Sequence, residues 1–163
     1  MCYWNANGLS QHKQEVELFL KTQDIDILLV SETHFTLKNY FRVNNYTTYD
    51  TKHPSGRACG GTAILINNRI RHFPLQEYKT IHIQATSITL TDTNTTIASI
   101  YSPPRHNITK SQYLTFFSTL GHKFIAAGDY NAKHTHWGSR LTTPKGRQLI
   151  SAITSAKLDV ISG

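Results

Sequence analysis

The run Ile25-Asp26-Ile27-Leu28-Leu29-Val30 constrains the fold of this chain more than any other stretch. It is apolar almost without interruption and does not alternate, so residues 25–31 read as a strand buried on both faces. A chain built around such a strand needs packed layers above and below it. The run falls far short of the roughly 18 residues that a membrane span requires, and it carries an acid.

Strands and helices alternate along the rest of the chain. Cys2–Asn5 reads as a short strand ending at the turn Asn7-Gly8. Ser10 is placed to cap a helix over residues 11–22, with Val16, Phe19 and Leu20 on its inner face. Residues 40–61 are polar and turn-rich and read as a long surface loop. A strand over 62–66 follows, and then a hairpin of 80–90 with 95–102, broken by Ser102-Pro103-Pro104-Arg105. A helix over 110–120 points Tyr113, Phe116, Phe117 and Leu120 inward, and 123–128 forms another buried strand. The last helix starts near Pro144 as an N1 proline and offers Leu149, Ile150 and Ile153 to the core, and 158–162 begins a final strand. This order predicts α/β layers with a mixed sheet, because a purely parallel sheet would not need the hairpin. With no repeat and no linker, residues 1–163 form one domain.

Seventeen basic against ten acidic residues give a net charge of +7, which favours a polyanionic partner. Cys2 and Cys59 have neither metal-type spacing nor a disulfide framework, and Met1 is not followed by a signal peptide. The expected setting is nuclear or cytoplasmic, not secreted.

Four polar groups each sit at or just past the end of an apolar strand: Asn5 with Asn7, Glu32, Tyr101 with Arg105, and Asp129 with Asn131. Strand ends share a rim in layered α/β folds, and two carboxylates with amides between them suit a hard cation and a phosphate.

The strings that hold these residues appear in order: Trp4-Asn5-Ala6-Asn7-Gly8-Leu9, Leu29-Val30-Ser31-Glu32-Thr33, Ile100-Tyr101-Ser102-Pro103-Pro104 and Gly128-Asp129-Tyr130-Asn131. Together they resemble the endonuclease/exonuclease/phosphatase superfamily, which includes DNase I and the apurinic/apyrimidinic endonucleases. The segment from Gly128 through Thr135-His136-Trp137-Gly138-Ser139, followed by Pro144-Lys145-Gly146-Arg147, is similar to the endonuclease domain of jockey-type non-LTR retrotransposons. The resemblance implies a four-layer DNase I-like α/β sandwich, two mixed sheets flanked by helices, without its last strands. It implies Mg²⁺, with Mn²⁺ as an alternative, DNA as partner, no membrane, and a reverse transcriptase fused or following. By position, Glu32 matches the metal ligand. Asp129 and Asn131 match the Asp-x-Asn pair, Tyr101 the phosphate-reaching tyrosine, and Asn5 the active-site asparagine. Asn7 and Arg105 stand as substrate contacts. Arg69, Arg71, Arg105, Lys133, Arg140, Lys145 and Arg147 are candidates for backbone contacts to DNA. The family's closing Ser-Asp-His-type motif has no counterpart before Gly163, so the sequence predicts a truncated domain that folds poorly in isolation.

Plainer explanations stand beside each residue. Glu32 could be a solvated strand end, Asp129-Tyr130-Asn131 an Asx turn, and Tyr101 core packing. His134 and His136 are spaced like zinc ligands but lack cysteine partners, and Trp137 fits a loop anchor. Three functions compete: a nuclease domain, a non-catalytic nucleic-acid-binding remnant, and a phosphatase of the same superfamily.

Overall fold

The structure, a computed structural model, describes residues 1–161. In chain order its elements are β1 (Cys2–Asn5), α1 (Lys13–Thr22), β2 (Ile27–Ser31), β3 (Tyr46–Thr51), β4 (Thr62–Asn67), β5 (His72–Pro74), β6 (Tyr78–Lys79), β7 (Gln84–Leu90), β8 (Thr95–Tyr101), α2 (Lys110–Ser118), β9 (Phe124–Asp129) and α3 (Pro144–Ala156). They make two sheets. One has the order β1-β2-β4-β3, and the other runs β5-β7-β8-β9 with β6 also paired to β7. β1 with β2 and β8 with β9 are parallel, and the remaining pairs are antiparallel, so both sheets are mixed.

The sheets stack face to face over Ile27, Leu29, Ile64, Ile66, Ile88 and Ile97. β2 and β4 are therefore buried on both faces: their alternate residues Leu28, Val30, Ala63 and Leu65 pack outward under Val16 and Leu20 of α1. On the far side of the second sheet, Ala85, Ala98 and Ile100 pack against Tyr113, Phe116 and Phe117 of α2 and Leu149 and Ala152 of α3. The result is the expected helix–sheet–sheet–helix sandwich. No helix among the described residues is long and apolar enough to cross a membrane.

The local predictions fail where polar side chains carry a structural duty. Ser10 does not cap: residues 10–12 form a 3-10 turn, α1 starts at Lys13, and the Ser10 hydroxyl accepts from Asn39 Nδ2 at 3.0 Å. Phe19 is 39% exposed and borders an apolar groove of about 340 Å³ between α1 and β1. Within the expected loop 40–61 lies β3, an edge strand of Thr and Tyr whose half-buried polar side chains hide its strand character. β7 starts at Gln84 because the Thr80 hydroxyl takes the amides of His82 and Ile83 into a tight turn. β9 is half-exposed, with Ile125 at 43%, because its described partner is β8 on one side. Ile150 and Ile153 are only partly buried. Residues 158–161 form no strand, and residue 162 lies outside the described residues.

Candidate active site

The two parallel pairs bring four strand ends to one rim. Asn5 closes β1 opposite Ser31 of β2, and Tyr101 closes β8 opposite Asp129 of β9. β1 and β2 pack across the sandwich against β9, so both pairs discharge their carboxyl ends into the same space.

One amide spans that space. Asn5 Nδ2 donates to Glu32 Oε1 at 3.0 Å and to Asp129 Oδ2 at 3.3 Å. Its own Oδ1 accepts the Asn7 backbone N–H at 3.2 Å. Asp129 Oδ1 accepts the Asn131 N–H at 2.9 Å, an Asx turn that leaves Oδ2 for Asn5. Asn131 Nδ2 donates to the Ser102 carbonyl at 3.1 Å, tying the loop after β9 to the end of β8. Gly128 allows this approach, since a Cβ there would collide with the Ile100 carbonyl oxygen.

Glu32 stands immediately past β2 at φ 54, in the left-handed region, and His34 follows at φ 55. A non-glycine residue pays roughly 1–2 kcal/mol for that backbone. The surrounding bonds impose it: the Glu32 carbonyl accepts from Gly8, the Thr33 carbonyl from Leu9, and His34 N–H donates to Gly60. Strain held by its surroundings at a carboxylate is a feature of functional sites. Glu32 Oε2 lies 3.5 Å from His34 Nε2.

Two tyrosines sense both carboxylates. Burial, and then the negative charges of Glu32 and Asp129, push the Tyr101 hydroxyl up to about 12. Tyr3 is raised by burial, opposed by its 2.7 Å hydrogen bond with Ser31 Oγ, and raised again by Asp129 and Glu32. Tyr3 shares the face of Asn5 by strand alternation, a signal the sequence did carry.

The structure thus brings Asn5, Glu32, Asp129 and Asn131 into one bonded group, with Tyr101 beside it by register. Asn7 lends its backbone and exposes its side chain. Arg105 lies exposed on the turn after β8, and no hydrogen bond among the described residues ties it to the group. Three of the basic residues offered as DNA contacts need correction. Arg69 pairs with Asp24 and Asp26, and Arg71 with Asp92. Both arginines sit near the opposite ends of the strands, where Ile27 meets Ile66 and Leu90 meets Thr95. Lys145 is 6% exposed and donates to the Ser102 and Pro103 carbonyls at 3.2 and 2.7 Å. Burial lowers its ammonium to about 8, an effect that the Asp129 charge partly opposes. Trp137 anchors its loop, donating Nε1 to the Ala132 carbonyl at 3.0 Å, and His134 Nδ1 accepts from His136 N–H. No group of three or more His, Cys, Asp or Glu poised for a metal occurs among the described residues. The donor set at the rim, two carboxylates and an amide, instead fits a hard divalent cation completed by water and phosphate.

Residues 2–161 match the model of the endonuclease/exonuclease/phosphatase family. The chain belongs to that family. Its similarity to the RNA-directed DNA polymerase from mobile element jockey of Drosophila melanogaster is 37% identity over 166 aligned residues, covering 98% of this chain and 18% of that protein. The corresponding jockey protein of Drosophila funebris is 32% identical over 98% of this chain and again 18% of its own length. The chain therefore spans less than a fifth of the curated relatives it matches. In three dimensions it resembles the endonuclease domain of TRAS1, a telomere-specific non-LTR retrotransposon. The TM-score is 0.75 at 19% identity, over 99% of this chain and 72% of that one. The sandwich and its rim are thus the fold of this family, whose nucleases typically depend on divalent metal.

Proposed function

We propose that residues 1–163 belong to a single Mg²⁺-dependent endonuclease domain, incomplete at its C-terminus here, of a non-LTR retrotransposon protein that nicks one DNA strand to leave a 3′-hydroxyl for reverse transcription. The observation that carries this reading is the Asn5 amide held between Glu32 and Asp129, carboxylates delivered by different sheets. The similarity to jockey proteins named as RNA-directed DNA polymerases supports a polymerase elsewhere in the same polypeptide.

Mg²⁺, or Mn²⁺ in its place, would be held by Glu32 and would supply Lewis-acid polarisation of a phosphate oxygen. The chain's own groups do the rest. Asp129 Oδ2 accepts a hydrogen bond from the attacking water and aims it in line with the leaving oxygen. Tyr101, with its hydroxyl raised to about 12, stays protonated at neutral pH and donates to the phosphoryl oxygen as charge builds. Asn131 has two amide hydrogens, spends one on the Ser102 carbonyl, and keeps one for the phosphate. Asn5 has both hydrogens committed to the carboxylates, so it organises the pair and does not touch the phosphate. Asn7 and Arg105, both exposed beside the rim, contact the flanking backbone of the DNA.

The test is nicking of supercoiled plasmid by the intact protein in Mg²⁺, lost on EDTA and on Glu32→Ala or Asp129→Ala. Plasmid left untouched by the wild-type protein across metals and pH would overturn the reading. Salt-sensitive DNA binding without any cut would establish a non-catalytic remnant instead.

A further inference from the structure

Lys145 is the residue whose surroundings its sequence least foretells. It stands in the first turn of α3, capped by Thr143, whose hydroxyl accepts from Gly146 N–H at 3.1 Å. The helix start is fixed to the loop after Asp129. Thr143 N–H donates to the Lys133 carbonyl at 2.9 Å, Lys133 N–H donates back to Thr143 Oγ1 at 3.2 Å, and a Cβ on Gly146 would collide with that carbonyl. From this fixed point the Lys145 side chain runs inward. Its ammonium ends on the carbonyls of Ser102 and Pro103, the residues that directly follow Tyr101.

Neither carbonyl needs the lysine. Ser102 O also accepts from Asn131 Nδ2 at 3.1 Å, and Pro103 O from His106 N–H at 3.4 Å. A buried ammonium is expensive, and an apolar side chain of similar length would fill the slot and leave each carbonyl its other hydrogen bond. A charge kept under those conditions calls for a role other than stability.

We propose that Lys145 is a positioning residue for phosphodiester cleavage, its ammonium clamping the end of β8 to α3 so that Tyr101 and Asn131 face the phosphate together. This rests on the endonuclease reading above. Ser102 is the shared node. Asn131 Nδ2 and Lys145 Nζ converge on its carbonyl, while its N–H donates to the Asp129 carbonyl at 2.8 Å. One ammonium therefore braces Ser102, which separates the tyrosine from the proline turn and is itself bonded to Asp129 and Asn131. The clamp is strongest while the ammonium is charged, and burial brings loss of that charge within reach of mild alkali, at about 8.

The experiment uses the intact protein with Lys145→Met and Lys145→Arg. Single-turnover nicking in Mg²⁺ is measured from pH 6.5 to 9.5, and duplex binding in Ca²⁺ is measured over a range of salt. Lys145→Met is expected to slow nicking by about tenfold or more, with the dissociation constant and its salt slope unchanged, because a buried ammonium releases no counterion from DNA. In the wild type the rate falls as pH rises through the lysine titration. Lys145→Arg, charged throughout, restores the rate and loses that alkaline limb. Asp129, His106 and His134 also lie on the packed elements, and an alkaline limb that survives in Lys145→Arg would belong to another group and refute the clamp. Weaker binding in Lys145→Met with a salt slope smaller by about one would make Lys145 a phosphate contact, and also refute it. An unchanged nicking rate in Lys145→Met would do the same. A wild-type protein that cuts nothing fails at the earlier step, bringing down the endonuclease reading before any variant is compared.

Discussion

Asn5 Nδ2 lies 3.3 Å from Asp129 Oδ2 although 124 residues separate them in the chain. The contact joins the end of the first strand to the end of the ninth, across two different sheets. It exists because β1 runs parallel to β2 and β9 runs parallel to β8, so that the carboxyl ends of these four strands point the same way. An amide suits the position because it can donate twice while its oxygen accepts from Asn7 N–H.

Replacing that amide by a carboxylate should expose its role. Asn5→Asp would set a third negative oxygen beside Glu32 and Asp129, and repulsion would replace both hydrogen bonds. Nicking by the intact protein is expected to fall about a hundredfold or more at neutral pH. Hydrogen exchange in β1 and β9 should quicken at pH 7 relative to the wild type. Exchange in Asn5→Asp identical to the wild type at pH 7 would show that Asn5 does not hold the carboxylates.

How much of this was legible beforehand depends on what each residue's neighbours are. The apolar cores of β2, β4 and β8 announce themselves because both faces are buried. The sandwich followed from them and from the ordered motif strings. β3 stayed hidden because Thr47, Thr48, Tyr49 and Asp50 are polar and only half-buried, giving no alternation to read. The convergence of Asn5, Glu32, Asp129 and Asn131 was legible, because all four stand at or just past strand ends. The site was illegible at Lys145, since an inward-turned lysine and a surface lysine look alike in one dimension. It was misread at Arg69, whose acidic partners Asp24 and Asp26 come from another segment.

Gly128 supplies a prediction about backbone approach. Its missing side chain lets β9 run against Ile100, so Gly128→Ala must push the strand end and Asp129 away from β8. Overpacking against a fixed carbonyl typically costs about 1–3 kcal/mol. Exchange of the β9 amides should accelerate by about one to two orders of magnitude, and nicking should drop more steeply than plasmid binding. If Gly128→Ala retains wild-type nicking, the tight β8–β9 approach is not what places Asp129.

Tyr101→Phe separates the hydroxyl from the ring. The ring is 9% exposed and belongs to the packing at the end of β8, so the variant should fold. Losing one donor to a developing charge costs roughly 10²–10³ in rate at sites of this kind. The expected result is a lower single-turnover rate with DNA affinity retained. Equal losses in both quantities would assign Tyr101 to ground-state binding.

Stability and activity should pull against each other at Lys145. Its ammonium is lowered from 10.5 to about 8, so the folded protein holds that proton less tightly than the unfolded chain. The penalty of the buried charge is then fully present below pH 8 and is relieved between about 8 and 10.5, where the unfolded chain still binds the proton. Relative to Lys145→Met, the wild type should therefore gain stability as pH rises through this window, while its nicking rate declines. Trp137 packs in the cluster that contains Leu149, so its fluorescence can report urea unfolding around α3 once Trp4 is replaced by Phe. Tyrosines with raised hydroxyls act in the opposite sense above pH 10, but they are common to both proteins and cancel in the difference. If the wild type loses stability relative to Lys145→Met over the same interval, the ammonium is not buried at a cost, and the case for a clamp retained for its charge falls with it.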